Sequence, residues 1–200
     1  MREFKIRASA SGKLMTKPRS KSEVLSKTTI TYLQEWAKQE IYGVRKDISS
    51  KYLDKGNAVE DDAIDYAAKE LGWLFAAKND QYFEDDFFCG TPDVILEDKI
   101  IDIKSSWDCF TFPLFEDEIP NKDYYYQLQV YMRLTGKRKA ELVYCLMNTP
   151  SELEYSEPID YTDLDSKHRI KSFAIEYDEE VIEQLIDKVK ESKEYLNKIK

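Results

Sequence analysis

The chain has 200 residues, 34% charged and 42% hydrophobic, with a formal net charge of -9, a length that suits one domain able to bury its own core. No eighteen-residue apolar run occurs, which excludes a membrane-spanning helix, and the amino end from Met1 to Arg7 lacks the apolar centre of a signal peptide. A soluble, cytoplasmic protein is the expectation.

Cys89, Cys109 and Cys145 are odd in number and widely spaced, fitting neither a disulfide framework nor a C-x-x-C metal knuckle. They are expected to be reduced and mostly buried. Charge is unevenly spread. In residues 1–27, Arg2, Lys5, Arg7, Lys13, Lys17, Arg19, Lys21 and Lys27 face only Glu3 and Glu23, so a basic segment sits on an acidic body.

In chain order, residues 22–42 read as a helix, with Ile30, Leu33, Trp36, Ala37 and Ile41 at helical spacing and Gly43 as its stop. A second helix runs over 57–71 to Gly72, burying Ala63, Ile64, Ala67 and Leu71. One turn back from Ala63 and Ile64, Glu60 falls on the same inward face, where a carboxylate needs a cation, a proton or an exposed end. Trp73 to Ala77 and Phe87 to Cys89 are short strand candidates, followed by hairpin arms at 93–97 and 99–105.

With Glu97 and Asp98 at the hairpin tip, Leu96 opposes Lys99, Ile95 opposes Ile100 and Asp93 opposes Asp102. Both aspartates then share one sheet face, and Lys104, two residues on, joins them. Residues 123–135 form a third helix with Gln127 inward and Gly136 as its stop, and Ala140 to Met147 is a buried strand. Residues 149–169, with Pro150 and Pro158, read as a long surface loop. Phe173, Ile175 and Tyr177 alternate as a strand, and a helix from Asp178 carries Ile182, Leu185, Ile186, Val189 and Leu196 on one stripe. The order predicts a single α/β (α+β) domain over residues 1–200 with a mixed sheet flanked by helices.

Two aspartates and a lysine on one face, an inward glutamate and an inward amide supply the parts of a metal-dependent phosphodiesterase. Hard oxygen ligands select Mg²⁺, with Mn²⁺ as a substitute. A D-x-K triplet alone recurs by chance, so the combination carries the reading. His168, in the polar Lys167-His168-Arg169, is not read as catalytic. Trp107, Phe110, Phe112 and Phe115 are read as core or subunit contacts rather than base-stacking groups, and Tyr124, Tyr125 and Tyr126 cannot all face one partner.

Taken together, Pro92-Asp93 and Asp102-Ile103-Lys104 resemble the PD-(D/E)XK nucleases. Gly56-Asn57-Ala58-Val59-Glu60-Asp61-Asp62-Ala63 is similar to the G-x-x-x-E-x-x-A helix of the phage lambda exonuclease (YqaJ-type viral recombinase) group within them. Tyr126-Gln127-Leu128-Gln129-Val130-Tyr131-Met132 resembles the same group's Q-x-Q-x-x-M helix, and Ile6-Arg7-Ala8-Ser9 with Lys17-Pro18-Arg19-Ser20 resembles its I-T-A-S and K-P-R-S segments.

The resemblance implies a restriction-endonuclease-like fold and a Mg²⁺-dependent 5′-to-3′ exonuclease that digests double-stranded DNA ends in phage-type recombination. Asp93, Asp102 and the Ile103 carbonyl would hold two metal positions, with Glu60 reaching one directly or through water. Lys104 would position the attacking water, and Gln127 would hold that lysine or the scissile phosphate. Arg2, Ser9 and Thr91 align with a 5′-phosphate pocket, although Thr91 replaces a serine and Arg7 replaces the I-T-A-S threonine. The implied assembly is a ring-shaped homotrimer whose partner is a single-strand annealing recombinase, encoded by a phage or prophage and acting in the bacterial cytoplasm. Rival readings are a structure-specific or repair endonuclease on the same scaffold and a non-catalytic DNA-binding module. Repulsion between the aspartates leads to the expectation that Asp102→Asn abolishes activity while leaving or raising metal-free stability.

Overall fold

The chain enters on a short strand, β1 (Ile6–Arg7), passes through a 3₁₀ turn (Ala8–Lys13) and reaches α1 (Lys27–Tyr42). The computed structural model describes residues 2–20, 22–46, 50–153 and 159–199, and no helix among them is long and apolar enough to cross a membrane. Helix α1 begins later than its apolar spacing suggested because Ser26 is its cap, with Oγ accepting the Thr29 N–H at 3.0 Å. Leu33 and Ala37 face inward, while Ile41, expected on that stripe, is exposed.

A helical pair replaces the single second helix: α2 (Lys51–Ala58) and α3 (Glu60–Leu71) meet at Val59, whose φ of -110° and ψ of 8° break the first and start the second. Ala63, Ile64 and Ala67 are buried as expected, and Leu71 at the end of the stripe is exposed. Residues 73–77 form no strand. Trp73 and Ala76 pack inward while Leu74 and Phe75 turn out to solvent, Phe75 at a φ of 57° that extended backbone cannot adopt.

Beyond this turn come β2 (Phe83–Glu84), β3 (Phe88–Gly90), β4 (Val94–Ile95), β5 (Ile100–Ser105), α4 (Lys122–Thr135), β6 (Lys139–Cys145), β7 (Ile170–Glu176) and α5 (Glu179–Lys198). The three glycines read as helix stops all follow their helices with positive φ. Two short 3₁₀ turns punctuate the connection expected as loop, and Pro158 lies outside the described residues.

The sheet is mixed, as expected, but divided in two. One part has the order β1-β3-β2 and the other β4-β5-β6-β7. In the larger part β5 and β6 are parallel, which requires the crossover through α4, while β4 and β7 pair antiparallel on its two sides. Alternation along β5 sends Ile101 and Ile103 to a small core under α3 and Ile100 to the large core that includes Leu128 and Met132 of α4. Both faces are therefore covered, and a polar residue on β5 has no route to bulk water unless the packing leaves one.

Cys89 and Cys145 are buried free thiols and Cys109 is exposed, in line with the expectation that most of the thiols are buried. Of the aromatics after β5, Phe112 is in the core, but Phe110 and Phe115 are almost wholly exposed at 91% and 90%, so they do not pack inside the chain.

Gly90 lies close against α4: a Cβ there would lie 2.7 Å from Cε1 of buried Tyr131. Gly90→Ala is expected to lower stability by about 1–3 kcal/mol through overpacking. Urea denaturation should show a lower midpoint at unchanged slope; an unchanged midpoint would contradict this packing.

Candidate active site

The hairpin of β4 and β5 forms in the expected register. Leu96 N–H donates to Lys99 O at 2.9 Å, and Ile95 and Val94 pair with Ile100 and Ile101. The next opposed pair is Asp93 and Asp102. Here the ladder stops, and Asp93 replaces the missing backbone partner with its side chain, Oδ2 accepting the Ile103 N–H at 2.7 Å. Backbone groups of even-numbered β5 residues turn towards β6, as Ser106 N–H shows by donating to Cys145 O at 2.9 Å. The Ile103 peptide therefore faces the other way, with its N–H and carbonyl on the Asp93 side.

Asp102 is fully buried. Its Oδ1 accepts from Gln127 Nε2 at 2.8 Å, and its Oδ2 lies 2.5 Å from Lys104 Nζ. That contact is a close ion pair, so both Asp102 oxygens are engaged from within the fold, one by the amide and one by the ammonium. The Gln127 amide also reaches the hydroxyl of Tyr131 at 3.3 Å, and Lys104 Nζ sits 4.9 Å from the centre of the Tyr124 ring. Gln127 thus fixes the aspartate rather than the lysine.

Burial, reinforced by the Asp102 charge, pushes the Asp93 carboxyl up to about 7 against the opposing pull of Lys104 and the Ile103 N–H. Asp102 is also raised by burial, with Lys104 opposing. Burial works against the Lys104 ammonium, but Asp102 and Asp93 outweigh it and hold the lysine charged. Two carboxylates thus share one cation.

Glu60, the first residue of α3, is close enough for its charge to raise both aspartates. Its carboxylate is otherwise engaged: Lys78 Nζ contacts Glu60 Oε2 at 2.7 Å and Asp61 Oδ1 at 2.8 Å, and Lys78 is itself bridged to Val94 of β4. Among the described residues, no three acidic, histidine or cysteine side chains form a ready-made cation cluster. The fold brings Asp93, Asp102, Lys104 and Gln127 together and leaves Glu60 at the margin. The donors fit Mg²⁺ or Mn²⁺ by their chemistry: two carboxylates that share one lysine, and a carbonyl facing the same side.

Ser9 and Thr91 leave the same end of the parallel ladder in which Ile6 and Arg7 pair with Phe88 and Cys89, and both are exposed. Arg2 does not join them, since its guanidinium ion-pairs with Glu40 at 2.8 Å. Sequence reasoning missed Lys78, which lies in an irregular stretch without a pattern. It also missed Tyr131, although that residue follows Gln127 by four and so shares its helix face. A surface hollow of about 590 Å³ lies elsewhere, lined in part by Glu176, Asp178, Glu179 and Glu180. Its acidic wall repels phosphate, so chemistry and not volume identifies the site.

The chain, with this hairpin, its paired aspartates, the lysine on the same face and the amide from the following helix, shares the fold of phage-related and alkaline exonucleases. A phage-related exonuclease from Haemophilus somnus 129PT superposes with a TM-score of 0.89 at 28% identity over 99% of this chain and 96% of that one. An alkaline exonuclease from Laribacter hongkongensis (LHK-Exo) superposes at 0.74 with 18% identity, covering 96% of this chain and 88% of its own. The same enzyme solved in complex with dAMP gives 0.72 at 20% identity over the same shares. No protein-family model matches the chain, and no curated protein does.

The lysine pairing changes what substitution at the aspartates should do. Asp102→Asn would strand Lys104, so it is expected to lower metal-free stability, contrary to the sequence expectation. Asp93→Asn removes the excess negative charge and can still accept the Ile103 N–H. Because Asp93 binds its proton more tightly when folded, its contribution to stability is fully present below the unfolded value of 3.8 and is lost as pH rises through about 7. Melting in EDTA at pH 5 and pH 8 should show a fall in the natural protein that is smaller in Asp93→Asn. Equal falls would contradict the shared-cation arrangement.

Proposed function

We propose that the protein is a Mg²⁺-dependent 5′-to-3′ exonuclease acting on the ends of double-stranded DNA in phage-type recombination. The carrying observation is the buried Asp102 carboxylate, ordered by Gln127 and Lys104 and facing a second carboxylate, Asp93, so that one lysine serves two acids. Asp93, Asp102 and the Ile103 carbonyl are the residues to hold the cation, and Glu60 reaches it if Lys78 releases it or a water intervenes. A divalent cation held there supplies Lewis acidity towards the phosphodiester and favours ionisation of water. Mn²⁺ should substitute, and a second cation position belongs to the same reading.

Lys104 orients the attacking water and offsets charge on the phosphate, while Gln127 keeps Asp102 in one rotamer. Ser9 and Thr91, neighbours at a ladder end, are hydroxyl donors for a terminal 5′-phosphate, and Arg2 would have to leave Glu40 to join them. The related exonuclease that was solved with dAMP supports a deoxynucleotide as product. A ring of three copies around DNA, and a single-strand annealing protein as partner, belong to the same reading. Exposed Phe110 and Phe115 offer apolar surface for such contacts.

A gel tests this. With Mg²⁺, linear duplex should shorten while covalently closed circles persist, and Lys104→Ala should abolish shortening. Nicked circles would indicate an endonuclease, and retardation without cleavage a binding module. Replacing the 5′-phosphate by a 5′-hydroxyl should slow attack at that end; equal rates would remove Ser9 and Thr91 from the site.

A further inference from the structure

Lys55 on α2 is 1% exposed, making it the most deeply buried cation among the described residues, and the proposed reaction does not use it. Its Nζ donates to two carbonyls at 2.7 Å each, Trp107 O and Met147 O, which are distant from it in sequence. These carbonyls lie just beyond the carboxyl ends of β5 and β6, where the strands stop pairing. Among the described residues no carboxylate touches the ammonium, and burial pushes it down to about 8, with Asp108 acting the other way. A buried charge with no ion-pair partner among the described residues is an expensive way to satisfy two carbonyls that water could serve at a strand end.

What the lysine achieves is a fixed distance. Its stem spans from α2 to both strands, and the face of α2 beside it grips the Trp107 ring, with Lys51 Nζ 4.7 Å from the ring centre and the Tyr52 ring edge-on at 5.8 Å. Val59 N–H returns to Lys55 O at 3.1 Å, and Ala63 N–H to Val59 O at 2.9 Å, so the backbone runs from Lys55 into α3 without slack. Glu60 is the first residue of that helix. On the strand side, Trp107 follows Lys104 by three residues.

We propose that Lys55 is a positioning residue whose ammonium pins the α2–α3 junction, and with it Glu60, onto the ends of the strands that present Asp102 and Lys104. This rests on the nuclease reading and on a role for Glu60 within it. Deprotonation would not release the pin, because a neutral amine keeps two N–H groups for the two carbonyls.

The test is a double-mutant cycle with Lys55→Met and Glu60→Gln, read as kcat and KM on linear duplex with Mg²⁺ and as Mn²⁺ affinity by calorimetry. Lys55→Met should lower kcat about 10- to 100-fold with KM changed little, and should weaken Mn²⁺ binding severalfold. In the Glu60→Gln background the same substitution should have almost no further effect. Equal loss in both backgrounds, or unchanged kcat and Mn²⁺ affinity, would overturn the positioning role while leaving the nuclease reading intact. Full activity in Glu60→Gln would instead remove Glu60 from the site. Should Lys55→Met fail to fold, Lys55→Arg, which keeps donors at a different reach, gives the same cycle: non-additive loss with Glu60→Gln supports the proposal and additive loss overturns it.

Discussion

A carboxylate sealed between a sheet and a helix must be neutralised or it will not stay ionised, and Asp102 answers this with Lys104 on one oxygen and the Gln127 amide on the other. The local architecture follows from that need. Alternation along β5 puts the lysine on the same face two residues away, the parallel β5–β6 pairing requires a crossover, and the crossover helix α4 brings the amide. Tyr131, reached by the same amide, requires Gly90 across from it, which ties the smaller sheet to the site. Asp93 then adds a second carboxylate where the hairpin ladder ends.

The charge left over is what suits the site to the cation of the proposed reaction. One lysine facing two buried carboxylates leaves Asp93 holding its proton to about 7. Structural ion pairs usually match one charge with another; here a second carboxylate, Asp93, faces the same lysine. Glu60 is treated differently, being held by a surface lysine it shares with Asp61. The basic amino end is also less free than its composition implies, since Arg2 and Lys5 are committed to Glu40 and Glu84, whereas Arg7, Lys17, Arg19 and Lys27 make no ion pair among the described residues.

The hairpin was legible because a two-residue tip between apolar arms fixes register, and register fixes which acids meet. Helices α4 and α5 were legible from periodicity and caps. Helix α2 was not, since Asp54, Gly56 and Asn57 lower its propensity and its one deeply buried side chain is a lysine. Strands β1 and β2 span two residues each, too short for any pattern to register. Trp73 to Ala77 misled because an apolar run looks like a strand, and only packing shows that half of it faces out. The contacts that depend on distant partners, Glu60 with Lys78 and Lys55 with two strand ends, leave no trace in local sequence.

Anomalous diffraction from crystals soaked in Mn²⁺ tests the central claim most directly. The account predicts a peak ligated by Asp93 and Asp102, with the Ile103 carbonyl facing it and Lys104 alongside. Mn²⁺ bound only at the exposed acids of α3 or at the acidic hollow near Asp178, with the aspartate pair empty, would contradict it.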